Sequence, residues 1–262
     1  MLVYILMFCL GASVGSFLNV VVMRTVESKS WVSGRSRCDH CHKQLSWYDM
    51  VPIFSYLLYR GRSRCCHKPL SIQYPIVELL VGALFVWWIA VGAFFFRLAS
   101  HPLATLQPLY WLLVGVVLIM IAASDAFYGL IPTRYVYFGV ATTLIYRLIL
   151  ITGGAYHWAD LGESVATAVG AYLFFYSLRK MTLGKGMGEG DEVLALLIGL
   201  ILGWPKTLLG IWGGFVLGAV VGVLALMTGK KKFGQTLPFA PFMVLGLLLT
   251  LLWGEKILHY WG

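Results

Sequence analysis

Again and again this chain runs for about twenty apolar residues, the length needed to cross roughly 30 Å of hydrocarbon. Eight such segments can be drawn, at 2–23, 75–96, 108–125, 132–151, 161–179, 191–204, 206–228 and 237–258. The sixth is short and abuts Pro205, so spans six and seven pair as a tight hairpin. Lipid offers no hydrogen-bond partners, so each span must satisfy its own backbone, which here means an α-helix. The expected fold is an all-α polytopic membrane protein of about eight transmembrane helices. It divides into a first transmembrane helix, 1–23, a polar cysteine-containing domain, 24–74, and a seven-helix membrane domain, 75–262. Charged residues make up 12% of the 262 residues, about half the share typical of soluble domains. The net charge of +9 would suggest a nucleic-acid partner in a soluble protein. In a chain this apolar it reports topology, so lipid is the expected partner and nucleic acid is not. No internal repeat stands out.

The first span has no basic residue before it, contains Asn19 and lacks a convincing cleavage site. It reads as a retained helix rather than a signal peptide. With the N-terminus outside, sixteen basic residues fall in inner loops: Arg24, Lys29, Arg35, Arg37, Lys43, Arg60, Arg62, Arg64, Lys68, Arg134, Arg179, Lys180, Lys185, Lys230, Lys231 and Lys232. Four remain outside: Arg97, Arg147, Lys206 and Lys256. The positive-inside rule selects this orientation. The polar domain is then cytoplasmic and both termini face out.

Eleven acidic residues exist, and most fall in loops, where a solvated charge needs no explanation. Glu78, Asp125, Asp191 and Glu192 lie at the membrane boundary, where ionisable groups are costly and function is the first hypothesis. Asp125 ends the third span and Asp191 opens the sixth, after Gly186-Met-Gly-Glu-Gly190. The orientation set by lysine and arginine places both at the cytoplasmic face. Two nearby carboxyls share a proton, which supplies a general base and a general acid together. Gly188 and Gly190 would let an extended peptide backbone come near Asp191. A helix N-terminus favours a negative charge there. The competing reading is that Asp191 only caps its helix and Asp125 only ends one.

Four of the five cysteines, Cys38, Cys41, Cys65 and Cys66, lie in the cytoplasmic domain. A reducing compartment disfavours disulfides there and favours metal. Cys38-x-x-Cys41 is one zinc knuckle. The second half, Ser63-Arg-Cys65-Cys66, is irregular. The expected site is a structural zinc held by Cys38, Cys41 and Cys66. Cys65, or one of His40, His42 and His67, remains open as the fourth ligand. The domain is too small for a large core, which is where a metal staple helps.

Taken in order, these pieces resemble the type IV prepilin peptidases over nearly the whole chain. The resemblance rests on Gly15-Ser-Phe-Leu-Asn-Val20 with Arg24, Cys38-x-x-Cys41 with Leu45-Ser-Trp-Tyr-Asp-Met-Val-Pro-Ile-Phe-Ser55, and Tyr74-Pro-Ile-Val-Glu78. It continues through Asp125 with Ile131-Pro132, Gly186-Met-Gly-Glu-Gly-Asp191 and Pro238-Phe-Ala-Pro-Phe242. It implies an inner-membrane GxGD-type aspartic peptidase with Asp125 and Asp191 as its catalytic pair. Such an enzyme removes a short basic leader from type IV prepilins or pseudopilins, cutting after a glycine at the cytoplasmic face. It then N-methylates the new terminus from S-adenosylmethionine. Gly188, Gly190, Glu78, Glu189 and Glu192 are the expected substrate-contacting residues, with Glu189 and Glu192 attracting the basic leader. An ion pair with Arg24 or another base of the loop is the other role open to Glu78.

Three positions depart from the family pattern: Ser63 stands where a cysteine is expected, Thr133 where Asp or Asn is common, and Val193 where Lys is common. No glycine fingerprint marks where S-adenosylmethionine binds. Two alternatives remain: a peptidase without methylation, and an ion-coupled transporter using Asp125 and Asp191. Mass spectrometry of the mature pilin N-terminus separates the first. The transporter reading leaves the cysteine domain unexplained.

Overall fold

The structure is a computed structural model, and it describes residues 1–31, 34–95, 103–184, 186–229 and 236–261. Arg97, Lys185, Lys230, Lys231 and Lys232, used above for orientation, lie outside the described residues. The chain separates into two compact units, Met1–Phe127 and Tyr128–Gly262. The expected boundaries at residues 24 and 75 do not coincide with this division. The cysteine domain and the helices on either side of it belong to one unit.

In the first unit, α1 (Leu2–Val26) is followed by the cysteine domain. That domain contains a 3-10 turn (Trp47–Met50) and a short helix, α2 (Phe54–Leu58). Helices α3 (Gln73–Phe95) and α4 (Leu103–Tyr128) follow, the latter ending at the division. α1 and α3 pack antiparallel at close range. A Cβ at Gly11 would sit 2.7 Å from the Val81 carbonyl, and one at Gly15 would sit 2.8 Å from the Glu78 Cα. With lipid on the outside, such small residues let backbones approach and gain dispersion contacts that solvent exclusion cannot supply. Asn19, an oddity in an apolar helix, is buried. Its Nδ2 donates to the Tyr74 carbonyl at 3.2 Å, and its Oδ1 accepts from Gln73 at 3.3 Å. α4 joins through Trp88, whose indole N–H donates to the Pro108 carbonyl at 2.8 Å.

The second unit holds α5 (Thr133–Thr152), α6 (Trp158–Met181), α7 (Glu189–Leu202), α8 (Lys206–Met227) and α9 (Ala240–Trp261). α8 and α9 form an antiparallel pair. Gly246 lies so close to Gly210 and Gly214 that no side chain fits there, and Lys206 pairs with Glu255 at 2.9 Å. Among the described residues there are no strands, only two isolated bridges in the cysteine domain.

Seven of the eight expected spans are helices long and apolar enough to cross a membrane. The sixth, α7, has 14 residues, about 21 Å of helix against the roughly 30 Å required. Its neighbours show how it fits. Gly199 lies on Ala168 of α6, Gly203 on Ser164, and Glu189 and Glu192 reach Arg179. So α7 runs antiparallel along most of α6, with α5 beside it in parallel. Eleven of its 14 residues are buried, which makes it an internal element shielded from lipid by its own neighbours. Arg147, counted on the outer side from the sequence, is buried beside the far end of α7. Its Nε and a terminal nitrogen donate to the Leu200 carbonyl at 3.0 and 2.7 Å. Those carbonyls lack intrahelical partners, and the guanidinium meets the negative end of the helix dipole.

Candidate active site and metal centre

Asp191 is the third residue of α7, and its Oδ2 accepts the Gly188 backbone N–H at 2.9 Å. Gly188, not Asp191, is therefore the N-cap, and Asp191 bonds back to it from the third helical position, as the reciprocal half of a capping box does. Capping engages that oxygen, and the residue is 7% exposed. The adjacent glycine has a packing reason. A Cβ at Gly190 would fall 2.5 Å from that of Ile131, in the Ile131-Pro132 turn that leads into α5. Ile131 fills the space that a side chain at 190 would need. Gly188 has no such neighbour: a Cβ there would meet nothing nearer than the Asp191 carboxylate at 3.7 Å.

Glu192 and Glu189, the acids expected to attract a basic leader, both pair with Arg179. Glu192 is buried, and its carboxylate takes the Arg179 Nε; Glu189 takes the same guanidinium at 2.9 Å. Glu189 is well exposed and can still face solvent cations. The primary effect of the trio is to lock the start of α7 to the end of α6.

In the first unit, Asp125 lies in the last turn of α4, 7% exposed, next to the fully buried Ser124. Glu78, 5% exposed on α3, accepts the Ile53 backbone N–H at 2.7 Å and bonds Ser16 of α1. It ties the cysteine domain to two helices. Arg24, its expected ion-pair partner, donates to the Ser30 and Arg35 carbonyls, both at 3.3 Å. Beneath the domain lies a cavity of about 450 Å³ whose lining includes Phe17, Arg24, Trp31, Tyr56, Tyr59 and Glu78.

The four loop cysteines converge, with all four Sγ atoms within 4.8 Å of one another. Cys38 and Cys66 are 3.7 Å apart and Cys41 and Cys65 3.1 Å. Tetrahedral zinc with bonds near 2.3 Å spaces its sulfurs by about 3.8 Å, so the donor set fits that ion with small adjustments. Cys65, left open from sequence, joins the cluster. Burial pushes the Cys38 thiol up, but the Ser63 hydroxyl and the backbone N–H groups of Cys41 and His40 more than offset it, giving about 6. Cys41, hydrogen-bonded to Cys65, is pushed up to about 11.

The domain is a repeat that sequence inspection missed. Cys38 N–H donates to the Lys43 carbonyl and His42 N–H to that of Cys38. Twenty-five positions later, Ser63 and His67 make the same bonds with Lys68 and Ser63. Each half carries one bridge, Arg37 to Gln44 and Arg62 to Pro69, and a histidine with φ near 55° (His42, His67). The available signal was Cys41-His-Lys-Gln-Leu-Ser46 against Cys66-His-Lys-Pro-Leu-Ser71. Ser63 occupies the place of Cys38 in the second half. Its hydroxyl lies 3.2 Å from Cys38 Sγ and 3.1 Å from Cys65 Sγ. The thiol missing at 63 is thus replaced from two residues along. Two polar links brace the domain, His40 to the Pro69 carbonyl at 3.0 Å and Asp49 to Arg64 at 2.8 Å, and the Tyr74 hydroxyl of α3 donates to Asp39 at 2.7 Å.

A polytopic helical membrane protein with buried carboxylates at helix ends and a four-cysteine knuckle domain has the build of an intramembrane peptidase. Comparison with known proteins agrees. Residues 9–91 match the Bacterial Peptidase A24 N-terminal domain, and residues 111–223 match the Type IV leader peptidase family. The chain is 32% identical to a prepilin leader peptidase/N-methyltransferase of Pseudomonas putida, covering 95% of this chain and 90% of that one. Proteins of the same name from Aeromonas hydrophila and Bacillus subtilis are 30% and 29% identical, over 99% and 98% of this chain and 94% and 96% of theirs. No solved structure matches it significantly. The chain belongs to the type IV leader peptidase family.

Proposed function

We propose that this chain is a bifunctional membrane enzyme. It cleaves the basic leader from type IV prepilins or pseudopilins, and it N-methylates the amine so exposed. Asp125 and Asp191 are its acid–base pair. The observation that carries this reading is the burial of both carboxylates at helix ends in a chain of this family. Membership favours it over an ion-coupled transporter.

Asp191 is the base. The Gly188 N–H and the start of α7 stabilise its negative charge. It takes a proton from a water, whose oxygen attacks the scissile carbonyl carbon. The Asp125 carboxyl gives its proton to the departing amine as the C–N bond breaks. The products are the leader, ending in a carboxylate, and a mature pilin with a new amino terminus. Glu189, and Gly188 beside Asp191, are the substrate-side contacts that suit the geometry. The active site faces the cytoplasm of a multi-pass inner-membrane protein, with both chain termini outside. This topology is supported by the excess of lysine and arginine in the inner loops.

Methylation calls for a methyl donor, and S-adenosylmethionine supplies an electrophilic methyl group when bound. The cavity under the cysteine domain fits a ligand of that class, since small-molecule sites run to about 300–1,000 Å³. Trp31, Tyr56 and Tyr59 offer faces for adenine, Arg24 a partner for a carboxylate, and Glu78 a negative charge for the cationic end. Arg24→Gln and Trp31→Ala are each expected to weaken equilibrium binding of S-adenosylhomocysteine to the solubilised full chain at least tenfold. Leader cleavage should stay within twofold of wild type. Unchanged binding in both variants would remove the cavity from methylation.

Zinc held by Cys38, Cys41, Cys65 and Cys66 staples the repeat. Atomic emission on purified protein should find about one zinc per chain, falling well below half in Cys66→Ser. Ser63→Ala, which removes no thiolate, should keep the metal. Zinc retained in Cys66→Ser would exclude that residue as a ligand.

A further inference from the structure

The cysteine domain exposes a cluster of large apolar side chains that neither the metal nor the cavity uses. Trp47 is 77% exposed, Phe54 62%, Leu57 67% and Leu58 59%. All four sit on the 3-10 turn and α2. Solvation explains such a cluster poorly in a small polar domain.

Two observations say what covers it. The first is depth. The segment leaves α1 and returns to α3, so it lies at one membrane face. It is pinned there, because Ile53 N–H donates to the Glu78 carboxylate at 2.7 Å. Glu78 is the sixth residue of α3, about 8 Å along the helix, inside the apolar stretch Gln73–Gly92. The same part of α3 exposes Ile76, Leu79 and Leu80. The anchor is tight enough to hold the β-branched Ile53 at φ +60°, with Phe54 N–H bonded back to the Pro52 carbonyl. Such a three-residue turn is rare and strained. The second observation is charge. Arg60, Arg62 and Lys68 follow the apolar cluster and are exposed, while the nearby acid, Asp49, is committed to Arg64. Apolar side chains beside exposed bases complement the acyl boundary and anionic headgroups of a bilayer.

We propose that residues 47–58 lie in the membrane interface, with Trp47, Phe54, Leu57 and Leu58 in the acyl boundary and Arg60, Arg62 and Lys68 on lipid phosphates. The occupant of this face is the lipid surface itself. Glu78 is then the clamp that holds the cysteine domain down against the bilayer. This inference stands independently of the catalytic assignment.

The test places the photoreactive residue p-benzoylphenylalanine at position 54 or 57 of the full chain, and at the exposed position 43 as a reference. The protein is reconstituted in vesicles of phosphatidylethanolamine and phosphatidylglycerol, irradiated and weighed intact. Lipid adducts at 54 and 57 should exceed those at 43 at least fivefold. Arg60→Gln with Arg62→Gln should halve the phosphatidylglycerol share of the adducts at 54. Adduct yields at 54 and 57 no higher than at 43, or cross-links only to protein, would overturn the proposal, as would a phosphatidylglycerol share unchanged in the double variant.

Discussion

Asp191→Asn is expected to lower leader cleavage by about a thousandfold or more, within the range that acid–base groups contribute, while leaving the protein folded. The substitution separates the structural role of this residue at the start of α7 from the catalytic role proposed for it. As the third residue of α7, Asp191 accepts the Gly188 N–H through Oδ2, and an asparagine oxygen can accept the same bond. As a base it needs a carboxylate, which asparagine lacks. Were that bond its whole contribution, Asn would be close to neutral, and Asp191→Ala would cost only about 1 kcal/mol of stability. The pair of variants therefore has a clear signature. Asn should retain the melting temperature and lose the rate, whereas Ala should lose both. Prepilin cleavage in membranes and thermal unfolding in detergent measure the two quantities.

Arg147→Met is expected to produce the largest loss of stability among single substitutions in the second unit. The guanidinium donates to the Leu200 carbonyl through two nitrogens, with a third contact to Ile201 at 3.5 Å. Removing it leaves buried carbonyls at the end of α7 without partners, at a cost of about 3 kcal/mol. For a chain of this size that corresponds to roughly 6–12 °C in thermal midpoint. Arg147→Lys keeps the charge but offers one compact ammonium in place of a fork, so it should fall between Met and wild type. Since α7 carries Asp191 at its other end, loosening it should also reduce cleavage. A midpoint within 1–2 °C of wild type in Arg147→Met would show that α7 does not depend on this cap.

The apolar runs were legible because hydrophobic length is a local property. Seven of them appear as long helices where the sequence places them. α7 was harder. Its fourteen residues are apolar, but nothing local says that they are enclosed by α5 and α6 or that Arg147 closes their end. Arg147 itself looked like an outward charge, because a charge count sees position along the chain and not the carbonyls a side chain can reach. The acids divide in the same way. Asp191 was visible from its glycine-rich approach. The partner of Glu192 was not, because Arg179 lies thirteen residues away across a turn. Gly190 illustrates a different limit: a missing side chain can mean room for substrate or room for a neighbour, and only the fold identifies Ile131 as that neighbour. The repeat of the cysteine domain was written in the sequence, but Ser63 and the displaced Cys65 broke its spacing enough to hide it. The hydrogen-bond pattern survives that exchange because it runs through the backbone.

The central claim is that catalysis needs two carboxylates contributed from different parts of the chain, so the most direct test removes the second one alone. Membranes carrying Asp125→Asn are incubated with a prepilin, and leader release is followed beside wild type, with unfolding measured on the same preparations. The expected result is a folded protein whose cleavage rate falls by about a thousandfold or more, comparable to Asp191→Asn. A folded Asp125→Asn that releases the leader at the wild-type rate would contradict it.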